Sequence, residues 1–155
     1  MIDIRHATLV DLDALAVLFD GYRQFYRQPS DIVAGRAFLE TRLSQMQSVI
    51  LLASMADRAV GFCQLYPIFS SVSMRRAWLL NDLFVDLEVR GQRVGAALLD
   101  AAAAHGRDSG AAWLMLQTAH DNTSAQRLYT RAGWQRDQQF YSYNLDLSGN
   151  PAPSL

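Results

Sequence analysis

The sequence predicts a mixed α/β fold, and three observations carry that expectation. Apolar residues recur with strand-like and helix-like periods in alternating blocks. One buried strand runs through a glycine-bearing loop into an Ala/Leu-rich helix and then into another strand. No linker, repeat or low-complexity block interrupts the order. The 155 residues suit one domain with a sizeable core, half of them are apolar, and 19% are charged. A net charge of -1 gives no electrostatic case for a nucleic-acid or membrane partner. No apolar run approaches the roughly 18 residues of a membrane span, and the opening "MIDIRHATLVDL" is acidic and mixed, unlike a signal peptide. Cys63 is the sole cysteine, which excludes an internal disulfide, and no Cys/His cluster suggests a metal. All 14 basic residues are Arg. The expectation is a soluble, cytoplasmic protein without metal, nucleic-acid or membrane partners.

The elements follow in order. "IDIRHA" alternates apolar and polar residues, a short strand. Thr8, three residues before Asp11, has the spacing of a helix cap with an acidic third position. Leu12, Leu15, Ala16, Phe19, Tyr22 and Tyr26 then recur at helical spacing. Pro29 and Ser30 break that helix and cap a second, whose apolar face is Phe38, Leu39, Leu43 and Met46. "SVILLAS" and "VGFCQLYPIFS", joined by the turn "MADRA", read as a hairpin of buried strands. "AWLLNDLFV", residues 77–85, is a third long strand. The helix after it ends near Gly110, and "AWLMLQT", residues 112–118, is the strand that completes a parallel crossover. A helix from Asn122 and a last strand, "FYSYNLDL" at 140–147, close the domain, which spans 2–147. Residues 148–155 read as a disordered tail.

Two stretches carry the chemistry. In "FVDLEVRGQRVGAALL", Gly91 and Gly95 permit close backbone approach at the start of a helix. The free N–H groups and dipole of a helix N-terminus favour an anion, and Arg90 and Arg93 add positive charge. The loop is neither a Walker A sequence nor G-x-G-x-x-G. In "NTSAQRLYTRAGW", an Asn stands where a helix can start and a Gly-Trp pair where it must end, with Tyr129 between.

Together, "RGQRVGAALL" and "NTSAQRLYTRAGW" resemble the GNAT superfamily of acyl-CoA-dependent N-acetyltransferases, over residues 2–147. The family's first motif is R/Q-x-x-G-x-G/A; its second is N-x-x-A-x-x-L-Y-x-x-x-G-F/W, matched by Asn122, Ala125, Leu128, Tyr129, Gly133 and Trp134. The first motif departs at one place, where Arg93 replaces the earlier glycine. The resemblance implies a GNAT fold of the α/β (α+β) class: a mixed, mostly antiparallel twisted sheet of about six to seven strands flanked by four helices. It implies acetyl-CoA as acyl donor, with its pyrophosphate and chain held by Leu83, Phe84, Val85, Arg90, Gly91, Gln92, Arg93, Val94, Gly95 and Ala96, and by Thr118, Asn122, Ala125 and Tyr129.

The reaction so implied needs a neutral amine, an oxyanion donor and an acid for the leaving thiolate. Tyr129, whose phenol has an ordinary pKa of about 10, is the acid by resemblance, against the alternative of a packed tyrosine. Asn122 is either a contact to the CoA chain, a helix cap, or both. The Val85 N–H is the oxyanion donor by resemblance. "LLNDLFV" resembles the "EDLFV" strand of the diamine and polyamine branch, with Asn81 where that branch has its Glu. Asn cannot serve as a base. Asp82 is the adjacent carboxylate, but neighbouring strand residues face opposite ways, so it either lines the acceptor site or orders the strand end. Tyr22, Tyr26, Tyr66, Asn81 and Tyr141 are the expected acceptor-site residues, with core packing as the alternative for the aromatic ones. "YRQFY", "NDLFV" and "AQRLY" together most resemble the branch that modifies polyamines, histones or D-amino acids. That branch is commonly dimeric, so a homodimer acting on a small-molecule amine is expected. A protein acetyltransferase and a non-catalytic acyl-CoA sensor are the alternatives. His6 reads as structural, His105 as a surface residue, His120 as a loop residue and Cys63 as core.

Overall fold

The computed structural model of the chain describes residues 1–149. Two compact units divide it at Leu116 and Gln117; of the expected tail, residues 150–155 lie outside the described residues.

The first unit opens with strand β1 (Ile2–His6) and a single 3-10 turn, Leu9–Asp11, that leads into helix α1 (Leu12–Phe25). Asp11 anchors that junction. Its carboxylate accepts from the Thr8 N–H at 2.8 Å and takes a two-pronged bond from Arg5, at 2.7 and 2.8 Å. The Arg5 guanidinium, then burial acting the other way, then the Thr8 N–H leave the Asp11 carboxyl at about 2. A folded pKa below the ordinary carboxylate value means stability that is present above about pH 4 and lost as pH falls toward 2. Asp11→Ala should therefore cost about 1–2 kcal/mol at neutral pH. Urea unfolding should find that difference shrinking between pH 4 and pH 2; a pH-independent difference would mean that the carboxylate charge plays no part.

Helix α2 (Ile32–Ser44) follows. Its cap is Asp31, which accepts from the Ala34 N–H at 3.0 Å, and not Ser30 as the sequence suggested. Ser30 instead donates to Asp20 at 2.7 Å, and Asp20 also takes the Asp31 N–H at 2.8 Å. Met46, expected on the apolar face, lies past the helix end and is exposed.

Strands β2 (Val49–Met55), β3 (Arg58–Ser70), β4 (Arg75–Val85) and β5 (Leu114–Met115) complete the sheet, with helix α3 (Val94–Asp108) between β4 and β5. The order is β1-β2-β3-β4-β5, antiparallel except for the parallel β4–β5 pair. The hairpin and the parallel crossover are as the sequence predicted. Successive strand residues face opposite sides, and the two sides have different covers. Leu52 and Phe62 pack with Leu12, Leu15, Phe19 and Leu39 of α1 and α2. Gly61, one position away, faces α3: a Cβ there would meet the Phe84 carbonyl at 2.8 Å and Val94 and Leu98 at 3.3 and 3.4 Å.

Among the described residues the sheet has five strands, fewer than the six to seven expected. The predicted 112–118 strand pairs only at Trp78–Leu114 and Leu79–Met115. Just beyond, β4 carries a bulge: Leu80 pairs with Leu65 and Asp82 with Gln64, so Asn81 is an extra residue. A bulge bends its strand and increases the twist, which accounts for the short β5 ladder. His105 is half-buried rather than a surface residue. Its Nδ1 lies 3.3 Å from His6 Nε2, its ring is edge-on to Trp78, and burial pushes its pKa down.

The second unit, described to residue 149, contains helix α4 (Thr123–Arg131). Asn122 caps it, accepting from the Ala125 N–H at 3.3 Å. Its end is a Schellman motif: the Trp134 N–H bonds to the Tyr129 carbonyl at 3.0 Å and the Gly133 N–H to Thr130 at 3.1 Å, with Gly133 at φ +89°. Residues 140–147 form no strand. Their alternating pattern names the face that would be buried, but a strand also needs a ladder partner, and Phe140, Tyr141, Tyr143, Leu145 and Leu147 are exposed.

Candidate active site

The β4 bulge builds the first half of the site. Without it, Asp82 would share the α3 side with Leu80. The extra residue turns Asp82 to the α1 side, opposite Gln64 and beside Asn81. The Asn81 amide donates to Asp82 Oδ1 at 2.8 Å, so these neighbours face the same way. This corrects the alternation expected from sequence. Asp82 is 2% exposed, and its Oδ2 accepts from the Gln64 amide. The Tyr22 hydroxyl donates to the Asn81 carbonyl at 3.1 Å. Burial drives the Asp82 pKa up; the bonds from Asn81, Gln64 and Tyr22 partly oppose that rise. The phenols of Tyr22, Tyr26 and Tyr66 are pushed up by burial and then by the nearby Asp82 charge. Four of the five expected acceptor-site residues (Tyr22, Tyr26, Tyr66 and Asn81) therefore surround this carboxylate. The fifth, Tyr141, is an exposed residue of the second unit.

The loop from β4 to α3 builds the second half. Asp86 caps the turn Leu87–Val89, accepting from the Glu88 N–H at 3.0 Å, and Arg58 pairs with both Asp86 and Glu88. Gly91 has φ +82°, with open space where a Cβ would stand. Arg93 caps α3 in the left-handed region, at φ +68°, a conformation that costs a residue with a Cβ about 1–2 kcal/mol. The first bond closing back into α3 runs from the Ala97 N–H to the Arg93 carbonyl at 3.0 Å. The N–H groups of Val94, Gly95 and Ala96 thus have no partner within the helix. Those donors, with the space at Gly91 and the guanidinium of Arg93, fit a phosphate. Arg90 turns away, donating to the Val85 carbonyl at 3.3 Å with its guanidinium over Phe25. Leu83, Phe84 and Val85 end β4, and beyond Leu79 that strand is paired with β3 alone among the described residues. Among those residues, no cluster of three or more His, Cys, Asp or Glu is placed to hold a metal, and no helix is long and apolar enough to cross a membrane.

In the second unit, Tyr129 is half-buried and its ring lies 6.4 Å from that of Trp134. Asn122 has the capping role that the sequence offered as one alternative. Thr118 lies in irregular chain after β5, not in a strand.

Residues 15–134 match the model of the acetyltransferase (GNAT) family. The chain belongs to the GNAT acetyltransferase family. An uncharacterized N-acetyltransferase of Bacillus subtilis (strain 168), YhfO, is 46% identical over 145 residues, 94% of this chain and 97% of that relative. The crystal structure of a probable acetyltransferase, 44% identical, covers 96% of this chain and 99% of its own, with a TM-score of 0.91. A ribosomal-protein-alanine N-acetyltransferase from Brucella melitensis biovar Abortus 2308 shares the fold at 24% identity and a TM-score of 0.75. This GNAT protein is an acyl-CoA-dependent N-acetyltransferase.

Sequence reasoning missed Gln64 and Ser48. Ser48 donates to Gln64 Oε1 at 2.8 Å, and both residues are buried. The available signal was a glutamine inside the apolar strand "VGFCQLY", since a buried amide requires partners.

Proposed function

We propose that this GNAT protein transfers an acetyl group from acetyl-CoA to the primary amine of a small molecule, by direct attack within a ternary complex. A polyamine, an amino acid or a related metabolite is the acceptor class, in keeping with the resemblance to the polyamine, histone and D-amino-acid branch. One observation carries the reading: a buried carboxylate on β4, Asp82, held by amides and surrounded by Tyr22, Tyr26 and Tyr66. Aromatic faces and a carboxylate suit a cationic amine. A base that holds its proton more tightly than an ordinary carboxylate is better matched to an amine near neutral pH.

Acetyl-CoA, when bound, supplies the activated thioester. The N–H groups of Val94, Gly95 and Ala96, the space at Gly91 and the charge of Arg93 hold its pyrophosphate. Leu83, Phe84, Val85 and Gln92 complete the part of its site that the first unit supplies; Arg90, turned onto the Val85 carbonyl and Phe25, is left out. The Val85 N–H stabilises developing negative charge on oxygen, Asp82 takes up the amine proton, and Tyr129 gives its proton to the departing sulfur. A homodimer belongs to the same reading: residues 140–147 leave Phe140, Tyr141, Tyr143, Leu145 and Leu147 exposed, and light scattering should give twice the 17.3 kDa chain mass.

The deciding experiment is thiol release from acetyl-CoA by the purified protein, with diamines and polyamines, L- and D-amino acids, aminoglycosides and a histone-tail peptide. Stimulation by a diamine, polyamine or amino acid supports the proposal, and stimulation by the peptide alone makes the protein a protein acetyltransferase. No stimulation, together with a melting temperature raised by acetyl-CoA, makes it an acyl-CoA sensor. Gly95→Glu should abolish the acetyl-CoA effect, through bulk and like charge at the pyrophosphate; unchanged binding by calorimetry would refute the phosphate-loop assignment.

A further inference from the structure

Gln64 enters the reading above only as one of the amides on Asp82, and Ser48 not at all, yet together they form its inner support. Gln64 is fully buried on β3, in direct register with Asp82. An ionised carboxylate only accepts hydrogen bonds, so both amides beside Asp82 must turn their NH2 groups toward it. Asn81 does so to Oδ1 and Gln64 to Oδ2. A glutamine amide can flip, and flipping would set its oxygen against the carboxylate. Ser48 prevents that: its hydroxyl donates to Gln64 Oε1 at 2.8 Å, which locks the amide with its NH2 on Asp82. The other groups that act electrostatically with Asp82 are Tyr22 of α1, Tyr26 at the C-terminal cap of that helix, and Cys63 and Tyr66 of β3. No basic side chain is among the groups that set its proton affinity. Amide dipoles, not a counter-ion, therefore make its ionised form tenable.

We propose that Gln64, locked by Ser48, is a positioning residue that fixes the orientation of the Asp82 carboxylate and sets how tightly it holds a proton. The inference rests on Asp82 being the proton acceptor, but it can be tested apart from that assignment. Gln64→Met keeps length and removes the donor. Ser48→Ala leaves Gln64 in place and removes its lock.

The measurement is a carbon-13 NMR titration of aspartate carboxyl groups in the full chain, with Asp82 identified by the signal lost in Asp82→Asn. The Asp82 midpoint should rise by about one pH unit in Gln64→Met, since a hydrogen bond to a charged group contributes that order of free energy. A smaller rise in the same direction is expected in Ser48→Ala, which also provides the test if Gln64→Met does not fold. An unchanged midpoint in the folded variants overturns the proposal. Thiol release, measured with spermidine and the rest of the amine panel, separates the two assignments. Full activity in Asp82→Asn removes Asp82 from the reaction but leaves the titration result standing. A titration without a shift removes Gln64 and leaves Asp82.

Discussion

Asp82→Asn is expected to lower kcat by about 10²- to 10⁴-fold, the range that positioned proton acceptors contribute. The side chain keeps its size but loses the ability to take a proton, and its NH2 replaces one of the two oxygens that accept from Asn81 and Gln64. Stability should move the other way with pH. Asp82 holds its proton more tightly in the folded chain than an ordinary carboxylate does, because burial penalises its charge. For a carboxylate with a raised folded pKa, the favourable contribution is complete below its unfolded value of about 3.9 and is lost as pH rises through the folded value. The melting temperature of Asp82→Asn relative to the parent should therefore climb from pH 4 toward neutral pH. A constant difference would mean that Asp82 is not a buried ionisable group. An undiminished kcat would leave water as the carrier of the amine proton.

Tyr129→Phe should lower kcat by about 10²- to 10³-fold while leaving acetyl-CoA affinity nearly unchanged. Only the hydroxyl is removed. The carbonyl that accepts the Trp134 N–H in the Schellman end of α4 is main chain, and the ring beside Trp134 is retained. The helix and its caps therefore remain, and a loss of turnover reports on the proton of the phenol. Calorimetry with acetyl-CoA and rapid-quench turnover, run on the same preparation, separate the two quantities. Turnover equal to the parent would reduce Tyr129 to a packing residue. A parallel loss of binding would give the hydroxyl a role in holding the donor.

The sequence by itself was enough for what depends on near neighbours. The spacing from Asn122 to Trp134 contains its own physics: a side-chain cap three residues before Ala125, and a glycine at the one position that needs a left-handed backbone. The strand–loop–helix around Gly91 and Gly95 was legible for the same reason, because the free donors of a helix start are a local property. The hairpin and the crossover followed from apolar period and turn residues. Local pattern did not reveal where a ladder fails. The 112–118 segment pairs at two residues only, and 140–147 at none, because pairing is decided by a distant neighbour.

The largest decision left to tertiary structure is the direction of Asp82. Period-two reasoning put Asn81 and Asp82 on opposite faces. The bulge that unites them exists only in the register of β4 against β3, between residues 18 positions apart in sequence. No apolar period encodes an extra residue, since the pattern shows alternation and not which partner each residue meets. Ser48 and Gln64 became part of the site in the same way. The sequence thus determined the family through local motifs, and the packing of β3 against β4 decided which way the Asp82 carboxylate faces and which amides hold it.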